Sequence, residues 1–134
     1  SAEGKYIIDG SAAGAEVGAE EIELIVEGGY ATEIKGEAAA DKLQEMITPY
    51  GKSAYNIAEL GIGTNDQAKL TGNVLEDEKV MGTVHIAVGD NSALGGNVSV
   101  ESHIDGVIDQ ASLYLDGELI MEEGELAEDG LGLK

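Results

Sequence analysis

The sequence of 134 residues has no cysteine, no phenylalanine and no tryptophan, a single proline, and only seven basic residues against 27 acidic ones. Without cysteine there are no disulfides, no thiolate metal sites and no cysteine nucleophile. Without Phe and Trp, the core has to be built from Ile, Val, Leu, Ala and a few Tyr. A formal charge of -20 leaves no cationic patch to displace counterions, which excludes nucleic acid and anionic membrane surfaces as partners. No apolar run approaches membrane-spanning length, and the opening Ser1-Ala2-Glu3-Gly4-Lys5 carries neither an initiator Met nor a signal peptide. The expectation is a soluble, cytoplasmic piece of a longer chain. There is no internal repeat, no Ser-His-Asp order, no P-loop lysine and no G-x-G-x-x-G pattern, so nucleotide binding is set aside.

Glycine is plentiful, with 20 residues, and implies many tight turns between short strands. Residues 5–9 read as a strand stopped by the loop at 10–14. Residues 22–27 and 30–35 flank Gly28-Gly29, a two-residue loop suited to the positive φ of a primed turn, and Asp116-Gly117 plays the same part between 112–115 and 118–121. Between 36 and 48 the apolar period lengthens: Ala38, Ala39, Leu43, Met46 and Ile47 suit a helix closed by Pro49. A short helix is expected at 76–81, its acidic start favoured by the helix dipole. The polar, glycine-rich stretch 90–97 reads as a loop bordering a site, and the tail from 122 to 134 as too sparse in apolar residues for a firm element. The fold class is α+β: β-rich, with mostly antiparallel strands, hairpins and one or two short helices, in a single domain spanning 1–134.

The two histidines of the chain both sit in β-branched, apolar runs, His85 in Thr83-Val84-His85-Ile86-Ala87-Val88 and His103 in His103-Ile104-Asp105-Gly106-Val107-Ile108. Residues two apart on a strand share a face, so His103 and Asp105 project side by side. If His85 approaches from a neighbouring strand, the result is a two-His, one-carboxylate set of the kind that binds zinc, manganese, cobalt or ferrous iron. Glu59 stands alone in the apolar and glycine context of residues 55–65. If buried, it must be paired, ligated or protonated, and with so few basic residues a metal is a fitting counter-charge.

Together, Ala58-Glu59-Leu60, His85-Ile86-Ala87-Val88-Gly89 and His103-Ile104-Asp105 resemble the C-terminal catalytic region of the aminopeptidase T and aminopeptidase S family of thermophilic metallopeptidases. The likeness runs from Gly4 through the last hairpin. It implies an aminopeptidase holding a pair of divalent metals, zinc, cobalt or manganese, on Glu59, His85, His103 and Asp105, with Glu59 serving catalysis as well, a peptide substrate, and room for a homodimer. A further metal-binding glutamate of that family lies upstream of where this chain begins, so the resemblance implies that residues 1–134 alone are an inactive C-terminal part. A ring-cleaving dihydroxypyridine dioxygenase is similar to that family and holds ferrous iron on two histidines and an aspartate, for which His85, His103 and Asp105 are equally suited. A third reading is an inert metal-binding domain.

Overall fold

The computed structural model describes residues 2–12 and 20–127; residues 13–14 of the expected loop and 128–134 of the tail lie outside the described residues. Among the described residues, three antiparallel, three-stranded sheets and one main helix make a β-rich α+β fold. The first sheet joins β1 (Gly4–Ile8), β2 (Ile22–Glu27) and β3 (Tyr30–Lys35). The β2–β3 hairpin falls where the alternation places it, and both Gly28 and Gly29 take positive φ at the turn.

Helix α1 (Ala38–Ile47) follows. Pro49 does not stop it cleanly. Lacking an N–H, proline is tolerated in a first turn, and the chain tightens instead into a 3-10 turn over Thr48–Tyr50. A second 3-10 turn, Lys52–Tyr55, leads into the second sheet, made of β4 (Ile57–Ile62), β5 (Val84–Gly89) and β6 (His103–Ile108). The short helix α2 (Val74–Asp77) lies between β4 and β5. It starts earlier than the acidic run suggested, because the Asn73 side chain accepts from the Leu75 amide at 3.0 Å and caps it. The third sheet contains β7 (Leu113–Leu115), β8 (Glu118–Glu122) and β9 (Glu125–Leu126). The start of the acidic tail is therefore ordered in a strand, contrary to expectation, since Leu126 is buried against Met121 and Val84.

Among the described residues, the larger of two apolar clusters joins the first sheet, α1 and the second sheet. Ile22, Leu24 and Val26 alternate inward from β2, Ala39, Ala40, Leu43 and Ile47 form the inner stripe of α1, and Val88 and Ile104 come from one face of the second sheet. Each of the large side chains contributes about 1.5–3 kcal/mol by leaving water. Ile8 packs onto Gly106, where a Cβ would meet its Cδ1 at 2.4 Å, so the two sheets approach closely at that point. With one face of the second sheet committed to the core, the polar side chains of its strands gather on the other face, where Val107 is itself buried. No helix among the described residues is long and apolar enough to cross a membrane.

Candidate metal centre

The free face of the second sheet is a small grid. Cross-strand pairing sets Gly61 opposite His85 and His85 opposite Val107, then Glu59 opposite Ala87 and Ala87 opposite Asp105, then Gly89 opposite His103. Directly paired residues share a face, as do residues two apart on a strand, so Glu59, His85, His103 and Asp105 all project to the same side. The intervening Ile86, Val88 and Ile104 project to the other, into the core. Small residues at Gly61, Ala87 and Gly89 alternate with the functional ones and leave space for them to converge.

Glu59 reaches this face through an irregularity. The β4–β5 register shifts between Ile57 and Glu59, with Ala58 as the extra residue. Had the pairing of Ile57 with Val88 continued without the shift, Glu59 would sit opposite Ile86 and point towards the core. A one-residue bulge flips everything beyond it to the opposite face, and here it delivers a carboxylate to the histidines. The end of β5 is held by a reciprocal clamp, in which buried Asn56 donates its Nδ2 to the Gly89 carbonyl at 3.0 Å and accepts at its own carbonyl from the Gly89 amide at 2.8 Å.

Glu59 divides its two oxygens between the histidines. Oε1 lies 3.2 Å from His85 Nε2 and Oε2 lies 3.3 Å from His103 Nε2, while Asp105 Oδ2 is 3.5 Å from His103 Nε2. The His103 ring has a defined tautomer. Its Nδ1 is 2.8 Å from the carbonyl oxygen of Asp90, which can only accept, so Nδ1 carries the proton. In neutral His103 the Nε2 lone pair then faces two carboxylate oxygens. Three acceptors aimed at one another repel unless a proton or a cation lies among them, and an imidazole held through its other nitrogen by a carbonyl is the usual form of a metal ligand. The donor set therefore fits a divalent metal. The glycine-rich loop after β5 borders the site as expected, and it contributes the main-chain oxygen that orients His103. That contact carries no residue-type signal.

Sequence reasoning missed one neighbour, Glu78. It follows α2, whose Asp77 is fully buried and accepts from the Thr71 and Gly72 amides at 2.7 and 3.0 Å, pinning the helix to the preceding loop. In the sequence Glu78 is one acidic residue in an acidic run and nothing marks it. Among the described residues, two sets bring one ligand atom each within 4.8 Å of one another: Glu59, His103 and Asp105, and Glu78, His85 and Asp105. The histidines thus fall in different sets joined by Asp105.

The charges of the site act on its own groups. Burial pushes the Asp105 carboxyl up from its ordinary value, and Glu78 and Glu59 add to the shift, against the opposing pull of the two histidines. Burial acts to lower His103, but the Asp90 carbonyl and the charges of Asp105, Glu59 and Asp90 outweigh it and raise the imidazole above 6.5. Both shifts mean that the native state holds protons more tightly than the unfolded chain, so both make the metal-free protein less stable as pH rises. The His103 contribution is fully present below 6.5 and is lost as pH climbs through the raised native value. Melting curves against pH for wild type and His103→Gln, both in chelator, isolate this part, because general acidic repulsion is common to the two. Parallel curves above pH 6.5 would show that His103 titrates as an ordinary surface histidine.

Comparison with known proteins separates the families that share such donors. The family model described as NicX, 2,5-dihydroxypyridine 5,6-dioxygenase, matches residues 3–128. This chain belongs to the NicX family. A structure of 2,5-dihydroxypyridine dioxygenase from Pseudomonas putida KT2440 superposes with a TM-score of 0.83 at 22% sequence identity, covering 96% of this chain and 41% of that one. At that identity the likeness speaks for the fold, and the chain spans less than half the length of that relative. No curated protein matches by sequence. Membership of the NicX family overturns the resemblance to the aminopeptidase T and aminopeptidase S family, and with it the aminopeptidase and protease reading and the peptide substrate. The reason is chemical: an ordered Glu, His and His-x-Asp pattern specifies oxygen and nitrogen donors on neighbouring strands, and such donors serve hydrolysis and oxygen chemistry alike.

Proposed function

We propose that this chain forms the metal-binding part of a non-haem, ferrous-iron dioxygenase that opens the ring of a dihydroxypyridine. The observation that carries the reading is the convergence of His103 Nε2 with Asp105 and Glu59 in a chain of the NicX family. His103 and Asp105 are held at fixed spacing by β6, His103 is oriented by the Asp90 carbonyl, and the bulge at Ala58 brings in Glu59, with His85 on its far oxygen. Glu59, His85, His103 and Asp105 are the ligands we assign to the centre. Ferrous iron bound there supplies the electron transfer that lets dioxygen react with an aromatic ring. Iron suits this role better than zinc, which has no redox chemistry.

The test is anaerobic loading with ferrous iron, calorimetric titration with 2,5-dihydroxypyridine, and then admission of oxygen. Substrate should bind the iron-loaded chain and not His103→Ala, with oxygen uptake matching loss of the ring chromophore. An iron-loaded chain that neither binds the dihydroxypyridine nor consumes oxygen in its presence would overturn the reading.

A further inference from the structure

We propose that the Asp90 carboxylate is a positioning residue for His103: it braces the loop between β5 and β6 so that the carbonyl of the same residue stays on the Nδ1 of the ring. The proposal deepens the proposed function, since it rests on His103 being a metal ligand and says what aims it.

Every polar group of Asp90 is engaged. Its amide donates to the Ser102 carbonyl at 2.7 Å, and its carbonyl accepts from His103 Nδ1 at 2.8 Å. Oδ2 accepts from the Ser92 amide at 3.1 Å and Oδ1 from the Val100 amide at 3.3 Å, while the Ser92 hydroxyl donates between the two oxygens at 2.9 and 3.0 Å. One carboxylate thus ties the start of the loop to its end. Gly89 lets the two strand ends pinch together beneath it: its φ is +117°, and a Cβ there would meet the Ser102 carbonyl oxygen at 2.0 Å. Asn91 closes the next rung, its amide donating to the Val98 carbonyl at 3.1 Å and its Oδ1 accepting from the Val98 amide at 3.0 Å.

The ring needs such a brace. The His103 side chain is 34% exposed, so packing alone does not fix its orientation, and water competes with the carbonyl for Nδ1. A carbonyl in a glycine-containing surface loop holds still only if the loop does. The rival explanation is a turn that stabilises the loop and nothing more, with the ring contact incidental. That role would register in the melting temperature and leave the His103 proton untouched, because the carboxylate itself lies at the surface and its contacts are exposed.

The test compares wild type, Asp90→Ala and Asp90→Asn, the last of which keeps an oxygen acceptor without the charge. In isotope-labelled protein kept in chelator below pH 6.5, where the ring carries both protons, nuclear magnetic resonance should show a slowly exchanging His103 Nδ1–H in wild type, assigned by its absence from His103→Gln. Asp90→Ala should lose that resonance to exchange with water, and Asp90→Asn should retain it. Manganese affinity, measured by calorimetry with magnesium in excess, should fall about tenfold in Asp90→Ala and be largely restored in Asp90→Asn. A protected Nδ1–H in Asp90→Ala would overturn the brace, as would an Asp90→Asn protein that loses the resonance as Asp90→Ala does. Wild type that takes up no manganese over magnesium would instead sink the metal reading, while the proton comparison in chelator still decides the brace.

Discussion

Manganese or ferrous iron at a free concentration of roughly a hundred times its dissociation constant is expected to stabilise the chain by about 2.7 kcal/mol, raising the melting temperature by roughly 10 °C. The size of the effect follows from where the ligands come from. Glu59 lies on β4, His85 on β5, and His103 and Asp105 on β6, so they meet only in the folded state, and a metal binds native chain in strong preference to unfolded chain. Binding also removes the mutual repulsion of the His103 lone pair and the carboxylates that surround it. With 27 acidic residues, any divalent ion will stabilise weakly by screening, so equimolar magnesium, which prefers oxygen and water to imidazole, is the reference. His103→Ala should bring the manganese shift down to the magnesium shift. Equal shifts for all ions in wild type would identify the effect as screening.

Gly61→Ala should weaken metal binding by roughly 10- to 100-fold, about 1.4 to 2.7 kcal/mol, while leaving the metal-free fold intact. The His85 ring lies directly across Gly61 of the neighbouring strand, and a Cβ at that position would meet Nε2 at 1.9 Å and Cε1 at 2.0 Å. No rotamer adjustment of a methyl group relieves such an overlap, so the ring must swing away, and its 3.2 Å contact with Glu59 goes with it. The backbone itself has no objection to alanine, since Gly61 is not in the left-handed region. Replacing glycine at a compatible position removes unfolded-state entropy and is worth about 0.4–1 kcal/mol of added stability. The expected result is therefore a split: chelator-treated melting temperature unchanged or slightly higher, and metal affinity reduced, both measured on the same preparation. Affinity within twofold of wild type would show that His85 does not need to cross β4.

The elements were largely legible because each rests on a local signal. Alternation in residues 22–27 and 30–35 with Gly28-Gly29 between them specifies a hairpin wherever it lies, and Asp116-Gly117 does the same near the other end. The 3.6-residue stripe of Ala39, Leu43 and Ile47 specifies a helix that must be covered. His103-Ile104-Asp105 likewise commits an imidazole and a carboxylate to one side of a strand. The reaction was not legible in this way. The donor pattern was shared by two families, and the match across residues 3–128 separated them.

What the sequence by itself determined, then, is a β-rich domain with imidazole and carboxylate chemistry, since the absence of cysteine and the period-two placement of His85, His103 and Asp105 allow little else. The tertiary structure decided how those donors meet. The extra residue at Ala58 turns Glu59 from the core to the free face, the Asp90 carbonyl selects the His103 tautomer, and the packing of α2 beside β6 brings Glu78 within reach of His85 and Asp105. Each of these depends on cross-strand register or on main-chain atoms, which belong to pairs of distant segments. A side-chain pattern read along one segment cannot contain them.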